Sequence, residues 1–156
     1  MPNEFNADDI FEMAVQIEKN GAQFYRNAAE NIKDENNKKF LIDLANMEDG
    51  HAITFSQMQK ELKTKETAPT IFDPENENAL YLKALADARV FAKKEEPLND
   101  FKSILFSAIQ AEKDSIVFYL GMKELVSENT GKAKLDDIIK EEMSHIRILT
   151  NKMVQQ

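Results

Sequence analysis

The chain has 156 residues, 42% hydrophobic and 31% charged, with four glycines, four prolines, no cysteine and a formal net charge of −8 at pH 7. That length suits one domain with a full core and is short for two. The acidic balance excludes nucleic acid and anionic membrane as partners, since phosphate surfaces repel it, and the missing thiols exclude disulfides, thiolate zinc, iron–sulfur clusters and cysteine nucleophiles.

Met1 to Asn6 is polar and lacks the basic-then-apolar order of a secretory leader. The longest dense apolar patch, Ile116 to Leu120, is far short of a membrane span. A cytoplasmic protein is expected. Asn6 is a suitable cap for a first helix, with Asp8 and Asp9 in its first turn and Ile10, Ala14, Ile17, Gly21, Phe24 and Ala28 on one face. That helix ends near Asn31. A second helix runs from about Asn36 to Lys63, with Phe40, Leu44, Met47, His51, Phe55, Met58 and Leu62 facing inward.

Thr64 to Pro74 holds two prolines and reads as a loop. A shorter amphipathic helix follows from about Glu77 to Lys94 and is closed by Pro97. Asn99 is the expected cap of the next helix, which carries Ile104, Ala108, Ala111, Ser115, Tyr119 and Met122. A polar turn at Ser127 to Gly131 leads to the last helix, with Leu135, Ile138, Glu142, His145 and Leu149. No strand-like alternation occurs. The expected fold is all-α: residues 1–156 form one four-helix bundle of two helical hairpins, joined by a long crossover with its own short helix.

The hairpins repeat each other. A shift of 94 positions lays Ala14-Val15-Gln16-Ile17-Glu18-Lys19 over Ala108-Ile109-Gln110-Ala111-Glu112-Lys113, and Phe24-Tyr25 over Phe118-Tyr119. The same shift, without a gap, carries Glu48 onto Glu142 and His51 onto His145.

The two histidines are the only ones in the chain, and each follows a glutamate by three residues, in Glu48-Asp49-Gly50-His51 and Glu142-Met143-Ser144-His145. On a helix that spacing turns a carboxylate and an imidazole to one spot. Glu18 and Glu112 each lie on or beside an apolar stripe, where a lone buried carboxylate costs several kcal/mol unless paired or neutralised. Glu18 and Glu48 are 30 residues apart, as are Glu112 and Glu142, with a turn near each midpoint. All six side chains can therefore converge at one level of the bundle. Four ionised glutamates are balanced by two divalent cations, and mixed carboxylate–imidazole donors suit iron or manganese. Zinc fits such a site but brings no redox chemistry.

One Glu from each of two helices, with Glu-x-x-His from each of the other two, is the donor pattern of ferritin-like di-iron and di-manganese proteins. The chain resembles that superfamily along nearly its whole length. Ile17-Glu18-Lys19-Asn20-Gly21-Ala22-Gln23-Phe24-Tyr25 and Ala111-Glu112-Lys113-Asp114-Ser115 are most similar to the rubrerythrin branch. The resemblance implies that Glu48 and Glu142 bridge two metals, that Glu18 and Glu112 are terminal ligands, and that His51 and His145 each bind one metal. It also implies a homodimer rather than a cage. Two departures stand out. No cysteine is present to hold the rubredoxin-type iron of rubrerythrins, so an external electron donor is required. Ser115 occupies the position of an additional rubrerythrin glutamate, leaving a plainer six-ligand site closer to bacterioferritin-like centres.

Tyr25 and Tyr119, two turns beyond Glu18 and Glu112, are either core aromatics or hydrogen-bond partners of a ligand carboxylate. Glu141, four residues before His145, competes with Glu142 as a ligand; the repeat selects Glu142 and leaves Glu141 beside the site or facing solvent. The seven methionines are scattered and read as core filler. The implied activity is that of a non-haem di-iron oxidoreductase acting on H2O2 or O2, of peroxide-reductase or ferroxidase type. The alternatives are an iron-binding, storage or carrier protein without turnover, and a di-manganese catalase-like protein.

Overall fold

The computed structural model describes residues 7–64, 77–85, 100–124, 126 and 131–156. Five helices follow in chain order: α1 (Ala7–Glu30), α2 (Glu35–Thr64), α3 (Glu77–Leu85), α4 (Phe101–Lys123) and α5 (Lys132–Val154). The described residues include no strand. The expected loop at Thr64 to Pro74, apart from Thr64 itself, lies outside the described residues, as do the Asn6 and Asn99 caps, the Leu62 side chain and the expected third helix beyond Leu85.

The helix starts follow local chemistry. Asp34 accepts the backbone N–H of Asn37 at the head of α2. Asp100 does the same for Ser103 at the head of α4, satisfying one of the orphan first-turn donors. The α4 cap is therefore Asp100 rather than Asn99. The 94-residue shift points to it, because it relates Asp100 to Asn6. Gly131 starts α5 with φ of 103°, and a Cβ there would come within 2.8 Å of Met58 Cε. Only glycine meets both demands without strain.

Two apolar clusters fill the bundle, and their membership orders the helices. One takes Ile10 to Ile17 of α1, Phe55 and Met58 of α2, Ile116 to Met122 of α4 and Leu135 to Ile139 of α5. The other takes Ala22 to Ala29, Leu41 to Ala45, Ile104 to Ile109 and Leu149. Consequently α1 and α5 run one way while α2 and α4 run the other. The pseudo-two-fold relating the hairpins lies across the bundle axis. The short α3 lies on α4 where Gly121 leaves room: a Cβ there would be 2.9 Å from Leu82 Cδ2.

Two expected inward positions face outward. Met47 is 47% exposed, and Ala111 is exposed as well. Each precedes a buried glutamate, Glu48 and Glu112. Neighbours on a helix differ by about 100°, so burying the acids turns Met47 and Ala111 away from the core.

Candidate metal centre

The break between the two apolar clusters falls at one level on every long helix. Glu18 stands between Ile17 and Ala22 on α1, Glu48 and His51 between Ala45 and Phe55 on α2, Glu112 between Ile109 and Ile116 on α4, and Glu142 and His145 between Ile139 and Leu149 on α5. All six are buried, none more than 6% exposed. The structure thus brings together all six residues expected from the sequence.

Their donor atoms fall into two overlapping groups, each within 4.8 Å. Glu18, Glu48, His51 and Glu142 form one; Glu48, Glu112, Glu142 and His145 form the other. Glu48 and Glu142 belong to both. His51 Nδ1 lies 2.7 Å from Glu142 Oε1, 3.5 Å from Glu18 Oε2 and 3.8 Å from Glu48 Oε2. His145 Nδ1 lies 3.4 Å from Glu48 Oε1 and 3.6 Å from both Glu112 Oε1 and Glu142 Oε2. The two imidazoles stack with centroids 5.7 Å apart and planes 19° from parallel.

Despite these short separations, both Nδ1 atoms, both oxygens of Glu142 and one oxygen each of Glu18, Glu48 and Glu112 are buried without a hydrogen bond. Orphaned buried donors and acceptors cost about 1–3 kcal/mol each. Seven together, on lone-pair-bearing groups converging on one layer, fit a pair of divalent cations shared by two carboxylates.

Electrostatics carry the same mark of crowding. Burial, with Glu142 and Glu48 nearby, pushes the Glu18 carboxyl well above the usual carboxylate range. Burial also opposes ionisation of Glu48, but Glu18 and the two imidazoles outweigh it and hold Glu48 at about 2. Burial disfavours charged imidazoles, yet Glu142, Glu18 and Glu48 lift His51 well above its ordinary value. Glu142 and Glu48 lift His145 to about 9. These shifts are those of carboxylates and imidazoles crowded into one buried layer.

The tyrosines are hydrogen-bond partners of the carboxylates, and they reach across the bundle. Tyr25 of α1 donates to Glu112 Oε1 of α4 at 2.8 Å, and Tyr119 of α4 donates to Glu18 Oε1 of α1 at 2.6 Å. Burial and the surrounding carboxylates raise both phenols far above their usual range, so each keeps its proton. Phe24 packs edge-on against Tyr25 at 5.5 Å and Phe118 against Tyr119 at 6.0 Å, one repeat apart.

Glu141 resolves to one side of the expectation: its Oε2 lies 2.5 Å from His51 Nε2. Ser115 turns its hydroxyl back to the Ala111 carbonyl, donating to it at 3.0 Å. Sequence reasoning missed the ion pair between Arg26 and Asp49, which ties α1 to α2 beside Glu48. Opposite charges on facing helices were its only signal. No helix among the described residues is long and apolar enough to cross a membrane.

The rubrerythrin family model matches residues 9–153. Among solved structures the chain is similar to a Thermotoga maritima protein described as ferritin-like and diiron-carboxylate, with a TM-score of 0.68 and 25% identity over 95% of this chain and 94% of that one. No curated protein matches the chain.

Proposed function

Because the chain belongs to the rubrerythrin family, we propose that it is a non-haem di-iron oxidoreductase that reduces hydroperoxide or O2 with electrons from an external donor. The observation that carries this reading is the buried layer of two overlapping donor groups sharing Glu48 and Glu142. In it, Glu18 and His51 would hold one cation, Glu112 and His145 would hold the other, and Glu48 and Glu142 would serve both. Held there, two ferrous ions would supply the two electrons that, with two protons, turn H2O2 into two waters.

The chain's own residues do the positioning. Tyr25 and Tyr119 fix one oxygen of each terminal carboxylate, leaving the other oxygen, Glu112 Oε2 and Glu18 Oε2, for the centre. The apolar clusters on either side keep bulk water from the layer and strengthen its electrostatics. The chain has no cysteine to hold a rubredoxin-type iron, so the proposed reaction takes its electrons from an external donor.

The test is anaerobic loading with Fe(II), then addition of H2O2 or O2 while near-ultraviolet ferric absorbance is followed. Uptake of about two irons per chain is expected, with repeated turnover once a reductant is added. A single oxidation followed by retained ferric iron would point to storage instead. Absence of stoichiometric uptake would overturn the reading.

A further inference from the structure

We propose that Glu141 is a positioning residue that makes the two metal positions unequal, so that the one beside His51 binds its cation first and more tightly. This inference rests on the two-metal reading above. Carboxylates face both ring nitrogens of His51. Its Nδ1 edge faces Glu142, Glu18 and Glu48 inside the bundle, and its Nε2 lies 2.5 Å from Glu141 Oε2, an acid reaching across from α5. The ring also stacks on that of His145, with centroids 5.7 Å apart.

An ionised carboxylate only accepts hydrogen bonds, so Nε2 carries the hydrogen in this pair. In the neutral ring Nδ1 then carries the lone pair, and Nδ1 is the atom left without a hydrogen bond in the buried layer. Glu141 therefore selects the tautomer a metal ligand needs and pins the ring plane at the same time.

Among the described residues, the other half of the repeat lacks this arrangement. The shift of 94 positions that relates His51 to His145 relates Met47 to Glu141. A thioether bears no charge and is a weak acceptor. His145 Nδ1 faces Glu48, Glu112 and Glu142 much as His51 Nδ1 faces its own three carboxylates, but position 47 supplies no acid to the far edge of its ring. Two donor sets that match inside the bundle thus differ behind the imidazoles. Losing a carboxylate behind a ligating histidine typically lowers metal affinity about 10- to 100-fold, and that is the expected gap between the two positions. The Glu141 side chain is 60% exposed, so changing it leaves the core intact.

The experiment is a Co(II) titration of the metal-free, full-length protein, followed by d–d absorbance and by calorimetry. Wild-type protein should take up two Co(II) in two resolved steps. Glu141→Ala should weaken the tighter step about 10- to 100-fold and leave the other in place. Glu141→Gln, which keeps an acceptor without the charge, should restore part of the loss. Met47→Glu should tighten the weaker step. Nitrogen-15 NMR of the Zn(II)-loaded wild type should show His51 protonated at Nε2, a signature that Glu141→Ala broadens or shifts and that a purely structural role would not move. Equal affinities in the wild type, or a Glu141→Ala titration like that of the wild type, would overturn the inference while leaving the two-metal centre standing. No Co(II) uptake by the wild type would overturn both.

Discussion

Tyr119 reaches Glu18 across the bundle, its hydroxyl donating a 2.6 Å hydrogen bond to a carboxylate 101 residues away in the chain. Tyr25 does the same for Glu112, so each hairpin steadies a buried carboxylate of the other. This exchange makes the centre a property of the paired hairpins and not of either one alone.

Removing that exchange has a measurable cost. Tyr119→Phe leaves Glu18 Oε1 buried without its donor, so destabilisation of about 1–3 kcal/mol is expected in urea melts of the metal-free protein. Tyr25→Phe should cost a similar amount at Glu112. Shape-matched phenylalanine isolates the hydroxyl, and a melt unchanged in both variants would contradict the assignment.

The metal-free protein should lose stability as pH rises from about 6.5 to 9. His145 is raised from 6.5 to about 9 by its carboxylates, so its contribution is complete below 6.5 and gone once pH passes the folded value. Glu18, also raised, acts in the same direction: above 4.5 the unfolded chain ionises while the folded one holds its proton. Glu48, lowered to about 2, has the opposite sign, and its contribution fades only below 4.5. Thermal melts of the apoprotein should therefore decline through the mildly alkaline range, a slope that metal loading removes.

Metal should raise the melting temperature. A cation that binds only the folded state adds about 2.7 kcal/mol when present at 100 times its dissociation constant. Chelation by EDTA should reverse the shift, and coincident melts with and without Fe(II) would argue against a buried site.

Neutralising Glu48 and Glu142, the two acids common to both donor groups, should abolish metal binding and weaken the metal-free fold. The double variant Glu48→Gln, Glu142→Gln is expected to bind no stoichiometric metal. Its apoprotein should also melt lower than the wild type near neutral pH, because the buried imidazoles lose the carboxylates that favour their charged forms. Metal analysis and calorimetry on one preparation decide both points.

The turn before α5 depends on one glycine. Gly131→Ala places a Cβ at positive φ and against Met58, so a loss of about 1–3 kcal/mol is expected in chemical denaturation.

The sequence by itself determined the helices, the repeat and the identity of all six converging residues. Those features are local: Glu-x-x-His depends on helical pitch, the apolar stripes on the same pitch, and the 94-residue shift on chain numbering alone. It erred at Met47 and Ala111, where hydrophobicity and burial part company because the adjacent acids take the inward position. Only the tertiary structure decided which tyrosine serves which glutamate, that Glu141 belongs to His51 rather than to its own helix neighbour His145, and that the histidines present Nδ1 to the layer. Those relationships span 87 to 101 residues of chain. They are set by how two hairpins rotate against each other, which sequence periodicity does not encode.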